Sequence, residues 1–244
     1  MDFIGLLRAG KRYISQRNSQ RKGYITLSIE DTTAKFIATS RRSIRRTRSR
    51  YRDEHDQLVD IIRELRSTDI FVDIGANTGL YTCFAAPNAD QIIALEPYPP
   101  NFIELSQNVQ LNEINAFVNT FALYDANGMY RLDAPAGSPP GYGKGAISSE
   151  KGSQVGCIRG DDLFTMLEVS PTVIKIDVEG TESRVIAGLE STLASSDCRL
   201  MYCELHPGRM TNTRADLVST LRNFGFVVTE HFGRENLLKA EKSV

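Results

Sequence analysis

Phe71-Val72-Asp73-Ile74-Gly75-Ala76-Asn77-Thr78-Gly79 is the segment on which the reading of this chain turns. An apolar strand, Ile70 to Ile74, runs into a glycine-bearing turn; a helix begins at Gly79 and stops at Pro87. Such a turn lets a ligand approach the main chain at the carboxyl edge of a sheet. The phosphate-binding versions fail on letters. The dinucleotide fingerprint needs GxGxxG, whereas Gly75 and Gly79 are spaced GxxxG, and the P-loop needs a lysine where Leu80 stands. A carboxylate at Asp73 would repel a pyrophosphate and attract an ammonium group. From Ser67 to Tyr130 there is no Lys or Arg, while seven acids occur: Asp69, Asp73, Asp90, Glu96, Glu104, Glu113 and Asp125. The stretch suits a cationic ligand. S-adenosylmethionine, with an α-amino group, a sulfonium and no phosphate, has that chemistry. Glu96 lies 23 residues after Asp73, at the end of the second strand, where an acid accepts from ribose hydroxyls. Asp125, after the third strand, is placed to accept from an adenine amino group.

Outward from this loop, strand and helix alternate. Strands are expected at 70–74, 91–95, 116–123, 172–176 and 200–204, and helices at 53–66, 79–86, 101–112, 182–193 and 213–224. A final hairpin is expected at 226–240, and an N-terminal one at 24–39 around Asp31-Thr32-Thr33. Apolar strands alternating with helices imply an α/β fold, a doubly wound and mostly parallel sheet covered on both faces. Residues 133–160 hold seven Gly and three Pro, which predicts a long loop, either a lid or variable surface, with a short strand at 154–158. Residues 3–14 read as a short amphipathic helix.

The 244 residues, 41% hydrophobic, suffice for one sizeable core, and 24% charged residues exclude wholesale disorder. No apolar run approaches about 18 residues, which excludes a membrane-spanning helix, and no secretory signal is expected. The four cysteines form no CxxC pair, so neither zinc nor disulfides are expected and a cytoplasmic setting is the simplest. The net charge of −1 hides an asymmetry: residues 1–52 carry 14 basic and 3 acidic residues, a net of +11. This divides the chain into a basic extension, 1–52, and a domain, 53–244. The densest run, 41–52, is either a solvated arm or a surface for an anionic partner, nucleic acid or acidic lipid.

Together, Asp73-Ile-Gly75-Ala76-Asn77-Thr-Gly79, Glu96-Pro97 and Lys175-Ile-Asp177-Val-Glu179-Gly180-Thr-Glu182 resemble the FkbM family of S-adenosylmethionine-dependent methyltransferases. Asn108, Leu111 and Asn112, Asp161-Asp162-Leu163, and the strand ending Glu204-Leu-His206 also match, and the resemblance runs from about residue 24 to 230. It implies a seven-stranded Rossmann-like methyltransferase sheet and transfer of methyl to oxygen on small molecules or sugars. It also implies cofactor contacts from Asp73, Gly75, Ala76, Asn77, Gly79 and Glu96, with a softer match at Asp125.

Asp177 and Glu179 follow the fourth strand, and Glu204 and His206 the fifth, so a doubly wound sheet brings them to the cofactor's crevice. They are the candidate catalytic residues, with Asp177 first as base and His206 and Glu179 behind it. Oxygen and imidazole groups so loosely spaced do not identify a metal site, and none is expected. Lys175, two residues before Asp177, must be paired if buried, to Asp177 or Glu204. The leading function is O-methylation of a small molecule or glycan hydroxyl. The alternatives are an RNA methyltransferase using residues 41–52, or a non-catalytic cofactor-binding scaffold.

Overall fold

The computed structural model describes residues 22–135, 137–148 and 150–242; the helix expected at 3–14 lies outside them. A tight hairpin comes first, β1 (Tyr24–Ile29) and β2 (Thr32–Ile37), with Glu30 taking the positive φ of the turn. Alternate residues of both strands face inward, so Ile25, Ile29, Ala34 and Phe36 are buried. Two helices follow, α1 (Arg41–Asp53) and α2 (His55–Glu64). Ser40 caps α1 through a reciprocal bond with Ser43.

The central layers are β3 (Ile70–Ile74), α3 (Leu80–Ala85), β4 (Gln91–Leu95), α4 (Pro99–Leu111) and β5 (Ala116–Asn119). After them the chain leaves the main sheet. The strands β6 (Ala122–Tyr124), β7 (Gly128–Asp133), β8 (Ala146–Ser148) and β9 (Ser153–Arg159) form a second, four-stranded sheet in the order β6-β9-β7-β8. The chain returns through α5 (Gly160–Leu167), β10 (Val173–Asp177), α6 (Glu182–Ala187), α7 (Glu190–Ala194) and β11 (Leu200–Glu204). It closes with α8 (Arg214–Asn223), β12 (Val227–His231) and β13 (Arg234–Glu241). The main sheet has seven strands in the order β12-β13-β11-β10-β3-β4-β5, parallel from β11 to β5, with β13 and β12 antiparallel at one edge. Strand order reverses at β3, whose neighbours are β4 and β10, and ligands bind outside the carboxyl ends at such a switch point.

Successive β-strand side chains alternate faces. Val72 and Ile74 therefore join one core with Ile174, Ile176, Met201 and Cys203, while Phe71 joins another with Val173, Leu200 and Tyr202. That second core also holds Ile25, Ile29, Phe36 and Ile44, so the N-terminal hairpin and α1 share apolar burial with the sheet across residue 52. Asn108 and Asn112, one turn apart on α4, fasten β2. Asn108 Oδ1 accepts from Ile37 N and Asn112 Oδ1 from Lys35 N, both at 2.7 Å.

Four local expectations are corrected. Residues 41–53 are a helix rather than an arm, because Ile44 and Thr47 are buried beneath the arginines. The strand expected at 116–123 is two strands in different sheets. The helix expected at 182–193 breaks at Gly188, where a Cβ would stand 2.0 Å from Tyr124 O. The glycine-rich stretch contains β8 besides the strand expected at 154–158, which is β9, and the helix α5 starts at its end.

Candidate active site

A cavity opens at the carboxyl ends of β3, β4 and β10, its empty space about 680 Å³ when counted out into open solvent. Its floor is Ile74, Gly75, Asn77, Leu95 and Glu96; Asp177, Val178, Glu179 and Thr181 form one wall, and Phe121 to Leu123 another. Among the described residues its lining has three carboxylates, Glu96, Asp177 and Glu179, and no Lys, Arg or His.

Gly75 has φ +77°, and a Cβ there would lie 2.0 Å from Asp177 O, so only glycine lets the β3 turn close against β10. Asn77 takes φ +53°, which asparagine tolerates better than most residues. Its N–H donates to Glu96 Oε2 at 2.8 Å, and its side-chain Oδ1 is buried without a partner. Glu96 Oε1 accepts from Tyr98 N at 2.8 Å. Burial pushes the Glu96 carboxyl up to about 7, against the pull of these hydrogen bonds.

The loop after β7 lies over the cavity and contributes Tyr142, Gly143 and Gly145 to its wall. Three side chains hold it down. Tyr98 Oη donates to Ser138 O at 2.7 Å, and Asn101 donates to Tyr142 O at 2.8 Å while accepting from Gly141 N at 2.7 Å. Arg46, from α1, donates to Pro140 O at 2.5 Å and pairs with Glu104.

At the far wall, parallel register sets Lys175 beside Asp73. Lys175, 2% exposed, lies 3.4 Å from Asp73 Oδ1 and 3.3 Å from Asp177 Oδ2, with its ammonium 4.5 Å from the Tyr81 ring centroid. Burial works against its charge, but Asp177 and Asp73 outweigh burial and keep it protonated. Burial would likewise push Asp177 up, yet Lys175, Arg50 and His206 hold it below the usual carboxylate range. Glu179 is pushed up by burial, opposed by His206 and Arg209, and lies 2.6 Å from Arg209 Nη1. His206 Nδ1 is 2.6 Å from Glu182 Oε1, and Nε2 is 3.7 Å from Glu179 Oε2.

Asn77, Gly75 and Glu96 thus stand on the cavity wall with Asp177 and Glu179, and His206 stands behind Glu179. Other expected site residues lie elsewhere. Asp73 is fully buried; Thr82 donates to its Oδ2 from N and Oγ1, and Lys175 takes its Oδ1, leaving no oxygen facing the cavity. Ala76 packs with Ala94, Leu105 and Val109. Gly79 caps α3 at φ +83°, where a Cβ would stand 2.6 Å from Leu105 Cδ1. Asp125 pairs with Arg184 away from the wall, and Glu204 lies 3.6 Å from Arg234. Lys175 pairs with Asp177 as expected, and with Asp73 rather than Glu204.

The cation-free stretch 67–130 is neutralised from outside itself: Asp69 by Arg199, Asp73 by Lys175, Glu104 by Arg46 and Asp125 by Arg184. Of its acids, Glu96 alone lines the cavity. The anionic character inferred for the whole stretch is therefore largely paired within the protein; the carboxylates on the cavity wall are Glu96 and, from beyond the stretch, Asp177 and Glu179, themselves held by Lys175 and Arg209. Two arginines of the 41–52 run are spent on this site, Arg46 on the loop and Arg50 on Glu54 at 2.6 Å and Asp177 at 4.0 Å.

Sequence reasoning missed Arg50, Tyr98, Asn101 and the site role of Glu182. Glu182 was legible in the motif it ends; Arg50 was hidden in a run that reads as solvated charge.

The cavity fits S-adenosylmethionine on two observations: a lining whose charged side chains among the described residues are all carboxylates, and a buried Asn77 oxygen without a partner. Glu96 would be the residue to accept from the ribose, since a carboxylate offers about four acceptor positions and main-chain N–H groups take two at short range. Asn77 Oδ1 and the acidic wall suit the ammonium and sulfonium.

The family model described as the methyltransferase FkbM domain matches residues 73–228. The hexuronic acid methyltransferase AglP of Haloferax volcanii is 26% identical over 197 residues, covering 80% of each chain. The 31-O-demethyl-FK506 methyltransferase FkbM of Streptomyces tacrolimicus is 26% identical over 198 residues, covering 68% of this chain and 75% of its own. A magnesium protoporphyrin IX methyltransferase from Synechocystis PCC 6803, solved with bound SAM, superposes with a TM-score of 0.49 at 13% identity, covering 80% of each chain. On the match to more than half its length, the chain belongs to the FkbM family of S-adenosylmethionine-dependent methyltransferases.

Proposed function

We propose that this enzyme methylates a hydroxyl oxygen on a sugar or another small polyhydroxylated molecule. The observation that carries the reading is the cavity itself: Glu96 and the unpartnered Asn77 oxygen on one side, Asp177 and Glu179 on the other, with the His206–Glu182 pair behind Glu179. The names of the two relatives, one acting on a hexuronic acid and one on a 31-O-demethyl compound, support an oxygen acceptor. When bound, S-adenosylmethionine supplies an electrophilic methyl group and takes the electron pair back on sulfur. The chain's own task is positioning, which is a large share of catalysis in such a displacement. Gly75 and Asn77 set the donor's depth, Glu96 holds its ribose, and the strapped loop through Tyr142 excludes water. Asp177, kept ionised by Lys175 and Arg50, fixes the polarity of the acceptor end.

Methyl-labelled donor incubated with hexuronic acids, their glycosides and neutral hexoses should give a base-stable labelled ether on a sugar. S-adenosylmethionine should raise the melting temperature and NAD should leave it unchanged. Label found solely in base-labile esters, or equal stabilisation by both compounds, would count against the reading.

A further inference from the structure

The obvious base, Asp177, is poorly suited to taking a proton, since Lys175, Arg50 and His206 hold its carboxyl below the usual range. A stronger base stands one layer back. His206 follows β11, and Leu205 N donates to Asn236 O at 2.7 Å, which anchors the main chain beside it. Its Nδ1 meets Glu182, a carboxylate with no exposed surface, at 2.6 Å. Glu182 is itself fixed, since Oε1 accepts from Gly180 N at 3.1 Å. The opposite nitrogen, Nε2, points to Glu179 on the cavity wall. A buried carboxylate holding one imidazole nitrogen orients the ring and stabilises the imidazolium that forms, and here the other nitrogen faces Glu179, the carboxylate that lines the cavity.

We propose that the proton of the methylated hydroxyl is taken up by His206 Nε2 through Glu179, the carboxylate between the ring and the cavity, and that Glu182 is the positioning residue of His206, with Asp177 as an electrostatic partner. The inference rests on the methyltransferase reading above. The acceptor's O–H proton passes by way of Glu179 to neutral Nε2, the electron pair it leaves on oxygen forms the new bond to the methyl carbon, and the methyl–sulfur bond would break with its pair going to sulfur. The imidazolium then returns its proton to solvent.

The charges around the ring come from several elements: Glu182 on α6, Glu179 and Asp177 after β10, and Glu204 on β11. Arg209 sits on Glu179, Arg234 on Glu204, and Lys175 and Arg50 on Asp177. Burial opposes the imidazolium, but Glu182 and Glu179 outweigh it and raise His206 to about 9. A raised base is protonated below that value, so turnover should rise with pH toward it.

Two measurements test the proposal. Imidazole NMR of the free protein, which has three histidines, reads the His206 titration, assigned by the signal lost in His206→Gln. Its midpoint should move down by about one pH unit in Glu182→Gln and stay near the parent value in Glu182→Asp. The pH profile of kcat/KM should follow the same midpoints, with the kcat limb moving in the same direction. His206→Gln should cost about 10²–10⁴-fold at the plateau, with the donor's dissociation constant within about twofold of the parent. Circular dichroism checks that each variant is folded, and Glu182→Asp keeps the charge if Glu182→Gln does not fold. A parent profile flat between about pH 6 and 10, as an ionised Asp177 base gives, would overturn the proposal. So would a midpoint that moves by NMR while the kcat limb stays. Loss of donor binding by the parent would instead indict the methyltransferase reading, because the NMR titration needs no donor.

Discussion

Glu96 and Asp177 face one cavity with opposite poise. Burial lifts Glu96 to about 7, while cations hold Asp177 down. For Glu96 the sign follows directly. Its folded value exceeds the unfolded one near 4.5, so its stabilisation is complete below that and is lost as pH rises through about 7. A bound cation, or hydroxyl donors, favour the ionised form, so donor affinity should rise about tenfold between roughly pH 6 and 8. Calorimetry on Glu96→Gln should show that dependence gone and affinity lower by about tenfold or more, a hydrogen bond to a charged group contributing about 1.5–3 kcal/mol. Lys175→Met would strand Asp73 and Asp177 together without their cation. Breaking a buried pair costs about 3–5 kcal/mol, which urea unfolding should register. Legibility at this scale was uneven. Gly75, Asn77 and Glu96 sit where their letters place them, because strand ends and glycine turns are local features. Asp73 does not, because its partner Lys175 is 102 positions away and only the β3–β10 register brings the two together.

Among the elements, α4 connects two functions. Its outer end holds β2 through Asn108 and Asn112, and its first turn holds the cavity loop through Asn101. Asn108→Ala leaves Ile37 N and Thr78 O without their partners. Equilibrium denaturation should show a loss of about 1–3 kcal/mol. Tyr98→Phe removes one strap from the loop, and limited proteolysis should then cut faster within residues 138–145, with a higher KM for the acceptor. The apolar strands and the amphipathic helices α2 and α8 were readable from periodicity. The split between β5 and β6 was not, since Ala116 to Leu123 is one apolar run and the change of sheet is made by pairing with β9. Helix α1 escaped because seven arginines mask its two buried positions.

Across the molecule, the apolar layer beneath β3 cannot be separated from the N-terminal hairpin. Deleting residues 1–53 removes Ile25, Ile29, Phe36 and Ile44 from that layer. At about 1.5–3 kcal/mol for each buried side chain, the loss rivals the entire stability of an ordinary domain. Such a truncation should show collapsed amide dispersion in NMR, whereas a cut ending at residue 21 keeps all four side chains. The division at residue 52 expected from charge therefore marks a change in composition, with one continuous core on both sides of it. No helix among the described residues is long and apolar enough to cross a membrane. The guanidinium that grips Pro140 comes from α1, ahead of the segment matched to the family. A substitution in α1 that loosened this grip would change what the mouth of the cavity admits while leaving every residue on its floor as it is.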